Sequence, residues 1–383
     1  MTTAVGTAAL PEGGRIDFAR LRAERRRRLL EAMAAHDLDA VILGRPANVL
    51  YASGARQLWT AGARPFGPAC VVVRETGRAH LLSTWDEGVP AEVAHEDLFG
   101  LSWNPVRVIG NVAAVPGLGQ ARRVGTDGFG IGTPRLVASV APGAEVADAG
   151  PALAAARVVK GAEELSCIET ALAVAEGALA AMAGAMRPGI TERELVGVHA
   201  AALADRGVTA PGSEAVACAT PRRGPVRLRR MAGDRLIGAG ELVALSANAL
   251  YCGYEGAVGR AVLAGAAIPT AAQARLVERA RDATAAVVAA CRPGASGADL
   301  LAAWHRTGEA SSPEPLAWGL GLGMEAPLIS AAGPAAPVGA GAVISEGMVL
   351  AVQGWVAEEG AGGALQLDVV HVTGSGPRVL SRA

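Results

Sequence analysis

LVALSANALYCGYEGAVGRAVLAG (242–265) decides the fold, because it reads as two strand-forming runs around a turn in a chain whose neighbouring segments are helical. Upstream, Leu165, Ile168, Leu172, Ala175, Leu179, Met182 and Met186 recur at steps of three and four. That spacing predicts an amphipathic helix with Glu163, Glu164, Glu169 and Glu176 off its apolar stripe. Arg187-Pro188-Gly189 stops the helix, and TERELVGVHAAALADRG (191–207) starts another, with Thr191 as N-cap and Glu194 at the reciprocal capping position. The same sentence is written again downstream. ARLVERARDATAAVVAAC (274–291) predicts a helix, Arg292-Pro293-Gly294 ends it, and Ser296 and Asp299 stand at capping spacing before the next. AWGLGLGMEAPLIS (317–330), GMVLAVQGWV (347–356) and ALQLDVVHVTG (364–374) then read as strands. Paired helices followed by strands, twice over, predict an internally duplicated α+β domain.

The N-terminal part has a different rhythm. Residues 1–14 read as a loose tail and 16–36 as an Arg-rich amphipathic helix on Leu21, Leu29, Leu30 and Met33. AVILG (40–44) predicts a strand, CVVVRETGRAHLLS (70–83) a hairpin, and VRVIG (106–110) and RRVGTDG (122–128) further strands. The expectation is an α/β domain over 15–150 and a second domain over 151–383, divided in the Gly-, Ala- and Pro-rich stretch 142–151.

Composition removes several function classes. A formal net charge of −1 gives no electrostatic basis for nucleic-acid binding. The 5 cysteines contain no CxxC pair, which argues against a zinc knuckle or a disulfide framework. No apolar run approaches the ~20 residues of a membrane span, and Arg25 to Arg28 lead into no signal-peptide core. These features predict a cytoplasmic protein with neither membrane nor nucleic-acid partners.

Taken in order, the Arg157-Val158-Val159-Lys160 entry, the long helix, RPGITERELV (187–196), the 242–265 hairpin, WGLGLGMEAP (318–327), SEGMVLAVQGWV (345–356) and LQLDVVHVTG (365–374) resemble the pita-bread family of aminopeptidase P, prolidase, methionine aminopeptidase and creatinase. NVLYASGARQLWTAGARPFGPACVVV (48–73) is similar to the creatinase-type N-terminal domain of that family. The resemblance implies a C-terminal pita-bread domain with a pseudo-twofold repeat, preceded by a smaller α/β domain, and a homodimer. It also implies a site built from two Asp, one His and two Glu that hold two metal ions, which turn a bridging water into hydroxide. Carried over residue by residue, those five positions are Ser246, Ala257, Trp318, Gln353 and Leu367. Two hard or borderline dications find no suitable donor set among them, so no metal and no other cofactor is expected.

What remains is a set of candidates. Glu255, Glu325 and Tyr254 are the residues proposed for acid/base work, with Glu255 beside the second Asp position. Arg229 falls where creatinase-type chemistry places a His; an arginine there would clamp a carboxylate rather than act as a base. Trp318, Gln353 and Ser246 would line the emptied pocket, and Arg260 keeps the family's arginine position. Trp59 and Arg64 come from the N-terminal domain, where the dimeric relatives reach over a partner's site. Cys252 reads as a small buried core residue, and His199 as a satisfied or exposed helix residue. Two functions fit this inventory: a metal-free enzyme on a small nitrogenous, carboxylate-bearing molecule, or a non-catalytic cleft that holds a short peptide or small ligand. The enzyme is the reading the replacements favour slightly.

Overall fold

The computed structural model describes residues 16–382 except 56–68, 83–87, 101–103, 129–131, 222–223, 225, 266–267, 312–313 and 332–336. The chain divides into two compact units that change over between Arg157 and Val158.

The first unit runs α1 (Phe18–Ala35), β1 (Ala40–Leu43), α2 (Pro46–Ser53), β2 (Cys70–Val73), β3 (Ala79–Leu82), β4 (Leu98–Phe99), α3 (Pro105–Ala113), β5 (Arg123–Thr126), α4 (Thr133–Val140), β6 (Glu145–Asp148) and α5 (Gly150–Arg157). Its mixed sheet has the order β4-β3-β2-β1-β5-β6. The hairpin over 70–83 forms as expected, with Cys70 opposite Leu81. VRVIG does not make a strand. Asn104 accepts the Val106 N–H, Pro105 opens the first turn, and the segment becomes α3. A short β-branched run carries no period of its own, so the cap decides it. The 142–151 stretch holds β6 and the start of α5, which packs on α1. The arginine run in α1 is structural. Arg26 donates to Ala52 O and Gly77 O, Arg25 is buried with its guanidinium over the Tyr51 ring, and Arg27 and Arg28 pair with Glu24.

The second unit runs α6 (Ala162–Gly184), α7 (Glu192–Asp205), β7 (Val216–Thr220), β8 (Leu242–Tyr251), β9 (Tyr254–Leu263), α8 (Ala271–Ala290), α9 (Gly297–His305), β10 (Ala317–Gly321), β11 (Gly323–Ile329), β12 (Val349–Glu358), β13 (Gly362–Thr373) and β14 (Gly376–Val379). Both expected capping boxes form, Thr191 with Glu194 and Ser296 with Asp299. Among the described strands the sheet has the order β11-β10-β12-β13-β9-β8-β7, with β14 on β13. The two halves of the repeat meet where Leu367 of β13 lies opposite Gly259 of β9.

Two expectations change here. By length and composition α6 is long and apolar enough to cross a membrane, yet it packs on β8 and β9 and half of its most apolar window is buried. Glu163 and Glu164 are buried rather than on a solvated face. Glu164 accepts the Gly161 N–H at the start of α6 and the Tyr254 hydroxyl at 2.6 Å, which satisfies its carboxylate inside the fold. The β8–β9 turn places Cys252 (φ 50) and Gly253 (φ 84) in the left-handed region. Cys252 is therefore a half-buried turn residue and not part of the core.

The approach of helix to sheet is set by one glycine. A Cβ at Gly256 would meet the Leu172 backbone nitrogen at 2.1 Å, so α6 lies directly on β9 there. In the other half, a Cβ at Gly354 would meet Thr284 Oγ1 of α8 at 2.1 Å. Gly256 and Gly354 thus mark the helix-covered face, and strand alternation puts Ala257 and Gln353 on the other.

Candidate functional site

On that second face the strands align one row of positions. Ser246 of β8 lies opposite Gly259 of β9, Gly259 opposite Leu367 of β13, and Leu367 opposite Gln353 of β12. Ala257 stands two residues before Gly259 on the same face, and Trp318 lies opposite Ala351, two residues before Gln353. The five positions that resemblance assigns to metal ligands are thus gathered on one face by the sheet register. All five are buried: Ser246 at 6%, Ala257 4%, Trp318 6%, Gln353 3% and Leu367 3% exposed.

The side chains in that row do not suit a pair of divalent ions. Ser246 offers a hydroxyl and Gln353 a carboxamide, while Ala257, Leu367 and Trp318 supply no acceptor. Among the described residues no group of three or more His, Cys, Asp or Glu comes together as a metal-holding set. Beside the row the face is apolar: Trp355, Leu365, Ala244, Val216 and Cys218 form a buried cluster, with Val226 and Leu228 packed on it.

The candidates separate once their neighbours are known. Glu255 lies on the same face, two residues before Ala257, about 7 Å along the strand. It is 7% exposed and forms no hydrogen bond or ion pair with a described residue. A Cβ on Gly212 would meet its Oε1 at 2.6 Å, so the 210–214 segment covers it. That segment is fastened by Asn248, whose side chain accepts the Ser213 N–H, and by the Leu250 N–H donating to Ala210 O. Burial pushes the Glu255 carboxyl up to about 7, since the ionised form loses water without gaining a partner.

Tyr254 points the other way. Its hydroxyl donates to Glu164 across the helix-covered face, so it is not part of this site. Glu325 is also committed elsewhere: Lys160 Nζ lies 3.0 Å from its Oε2, and the Leu322 N–H donates to its Oε1. Glu325 lies opposite Gly319, the neighbour of Trp318, and so on the face away from the row. Arg260 donates to Gly259 O, Leu367 O and Asp368 Oδ1 and ties β9 to β13. Asp368 is held by the side chains of Arg260, Gln366 and Ser381.

Arg229 is no carboxylate clamp for a ligand, because it already clamps one. It forms a two-pronged pair with Glu192, which is fully buried, and donates to Ala219 O. Its neighbour Arg230 is the residue that reaches the row: it pairs with Glu314 at 2.6 Å and approaches Gln353 Oε1 at 3.4 Å. Nothing in the sequence distinguishes the two adjacent loop arginines, so Arg230 and Glu314 were not legible from it. His199 is buried and satisfied, with Nε2 2.9 Å from Asn248 O. Trp59 and Arg64 lie outside the described residues.

Fold and face together define a peptidase-type scaffold, and comparison with known proteins gives the family. The Metallopeptidase family M24 profile matches residues 166–374, and the Creatinase/Prolidase N-terminal domain profile matches residues 25–159. The chain belongs to the M24 metallopeptidase family. A curated relative, the uncharacterized peptidase YqhT of Bacillus subtilis, is 26% identical over 255 residues, which is 66% of this chain and 70% of that protein. The prolidase of Pyrococcus horikoshii superposes with a TM-score of 0.75 at 21% identity, covering 94% of this chain and 98% of the other. Dipeptidase PepE of Mycobacterium ulcerans gives 0.75 at 22% identity over 97% and 98%. Aminopeptidase P of E. coli gives 0.71 at 16% identity over 94% of each chain. These likenesses establish the creatinase-type N-terminal domain and the pita-bread C-terminal domain.

Proposed function

We propose that this protein is a non-hydrolytic member of its family, a binding cleft for a short peptide or small ligand on the sheet face that carries the five positions the resemblance assigns to metal ligands. The observation that carries this reading is the row Ser246, Gly259, Leu367, Gln353 with Ala257 and Trp318 beside it: the backbone register brings the positions together, and their side chains offer no carboxylate or imidazole. Without such donors a bound water is not converted to hydroxide at neutral pH. Three of the residues proposed for chemistry or for clamping, Tyr254, Glu325 and Arg229, are engaged by Glu164, Lys160 and Glu192. That engagement moves the balance from the enzyme, which the replacements alone favour slightly, to the binder. Apolar replacements at Trp318 and Leu367 suit recognition.

One observation supports a second reading, a metal-free acid/base enzyme. Glu255 is a buried carboxyl with a pKa of about 7, the value a general acid or base needs near neutrality. Both readings are separated by incubating chelator-treated protein with Xaa-Pro peptides and with a cell metabolite extract, followed by untargeted mass spectrometry. A binder retains a mass at up to one equivalent and produces none. A product made by wild type and not by Glu255→Gln would establish the enzyme instead. We place the protein in the cytoplasm as a homodimer; light scattering tests the latter directly.

A further inference from the structure

The row of Ser246, Ala257, Trp318, Gln353 and Leu367 is buried, so access to it requires part of its cover to move. Two segments contribute to that cover. The 210–214 segment is fastened by the Leu250 N–H on Ala210 O and by the Asn248 side chain, which bonds Ser213 and Glu214. Residues 226–229 belong to no helix or strand. Val226 and Leu228 pack on Val216, Cys218, Ala244, Trp355 and Leu365, while Arg227 between them is exposed. These contacts lie on the face of the row: Val216 is opposite Ser246, Cys218 is opposite Ala244, and Trp355 and Leu365 stand two residues from Gln353 and Leu367. The backbone of the segment closes directly over a thiol. Arg229 N–H donates to Cys218 Sγ at 3.4 Å, and Cys218 Sγ donates to Arg227 O at 3.6 Å.

The attachments of this segment are unequal. Arg229 grips the fully buried Glu192 with two bonds, and the Gly233 N–H bonds the same carboxylate. Stripping a buried carboxylate of its arginine is costly, so Arg229 is a fixed point. On either side of it the hold is weak. Val226 and Leu228 are only half-buried. Arg230, 44% exposed, reaches out of the first half of the repeat to Glu314 of the second, 23% exposed, and meets Gln353 Oε1 at 3.4 Å. An exposed ion pair of this kind shifts an equilibrium by at most about fivefold and weakens as salt screens it. Beneath it, Gln353 Nε2 is buried without a hydrogen-bond partner among the described residues, a cost that admitting water would relieve.

We propose that residues 226–230 are a strap over the helix-free face, with Arg229–Glu192 as its pivot and Arg230–Glu314 as its clasp. Release of the clasp lifts the strap and admits solvent or a ligand to the row. Segments held by few buried contacts open in this way well below the free energy of global unfolding. The inference concerns access to the face and its test needs no ligand, so it stands or falls separately from the binding reading.

Cys218 is the reporter, because the strap backbone covers its sulfur. The test is alkylation of the native full chain by iodoacetamide, a neutral reagent, with the rate at each cysteine read by peptide mass spectrometry. Cys167 and Cys291, buried elsewhere in the same unit, report global unfolding, and the half-buried Cys252 reports how salt affects the reagent itself. Cys218 should react faster than Cys167 and Cys291. Its rate relative to Cys252 should rise about two- to fivefold between about 0.01 M and about 1 M sodium chloride, over which the screening length falls from about 30 Å to about 3 Å. Glu314→Gln should raise the low-salt rate by a similar factor and abolish the salt dependence, with Cys167 and Cys291 unchanged. Leu228→Ala should raise the rate and keep the salt dependence. Cys218 reacting no faster than Cys167 and Cys291 overturns the strap, since the face would then open only with the whole fold. A Cys218 rate that ignores both salt and Glu314→Gln, or a salt dependence that survives Glu314→Gln, overturns the clasp.

Discussion

Tyr254 and Glu255 are consecutive in the chain and face opposite sides of one sheet: the Tyr254 hydroxyl donates to Glu164 of α6 at 2.6 Å, whereas Glu255 lies under Gly212 on the far side. Strand alternation alone produces this split. It assigns the tyrosine to holding helix on sheet and the glutamate to the candidate site. Tyr254→Phe removes one buried hydrogen bond to a carboxylate that still accepts the Gly161 N–H. The expected cost is about 1–2 kcal/mol of stability by denaturant unfolding, with ligand affinity unchanged. A large affinity loss would return Tyr254 to the site.

Glu255 also makes stability depend on pH in an unusual direction. Its folded pKa of about 7 lies above the ordinary value of 4.5, so between those values the folded chain binds more protons than the unfolded one. Its contribution is fully present below about pH 4.5 and is lost as pH rises through 7. The difference is about 3 kcal/mol at most. Glu255→Gln should therefore gain stability relative to wild type at pH 8 and little at pH 5. Parallel pH–stability curves for the two proteins would show the carboxyl to be solvated.

The adjacent arginines 229 and 230 should behave differently. Arg229→Ala leaves Glu192 buried with only the Ala219 and Gly233 N–H groups, and should cost about 2 kcal/mol, tempered by the partial exposure of Arg229. Arg230→Ala breaks an exposed pair with Glu314 and should change stability by less than about 1 kcal/mol. Its effect should be seen in ligand affinity, since it frees Gln353 Oε1. Affinity lost with Arg229 and kept with Arg230 would reverse the assignment.

Metal should leave the protein indifferent. Chelation is expected to leave the melting temperature within about 1 °C, and dialysis against manganese, cobalt or zinc should leave far less than one equivalent bound. A stabilising ion would shift the transition by mass action. Elemental analysis at one or two equivalents would overturn the reading of the row.

Much of this molecule is legible in its residues, and the illegible part has a common cause. The doubled helix–Arg-Pro-Gly–helix pattern, the caps at Thr191 and Ser296 and the hairpin around Cys252-Gly253 all depend on neighbours within a few residues, and all form where the spacing places them. VRVIG goes the other way for an equally local reason, the Asn104 cap and Pro105 before it. The residues at the five positions that the resemblance assigns to ligands could be counted off along the chain. That Gln353 Nε2 is left without a hydrogen-bond partner among the described residues could not be.

What the sequence by itself determined is therefore the fold class, a creatinase-type N-terminal domain and a pita-bread domain, because hydrophobic period, caps and residue identity are local quantities. Which face each strand residue takes, that Lys160 holds Glu325, that Glu192 holds Arg229, and that Arg230 rather than Arg229 meets Gln353 were decided only in the tertiary structure. Charges pair with what the fold brings within about 3 Å. Partners 37, 123 or 165 residues apart in the chain carry no mark of each other until the sheet and its covering loops close.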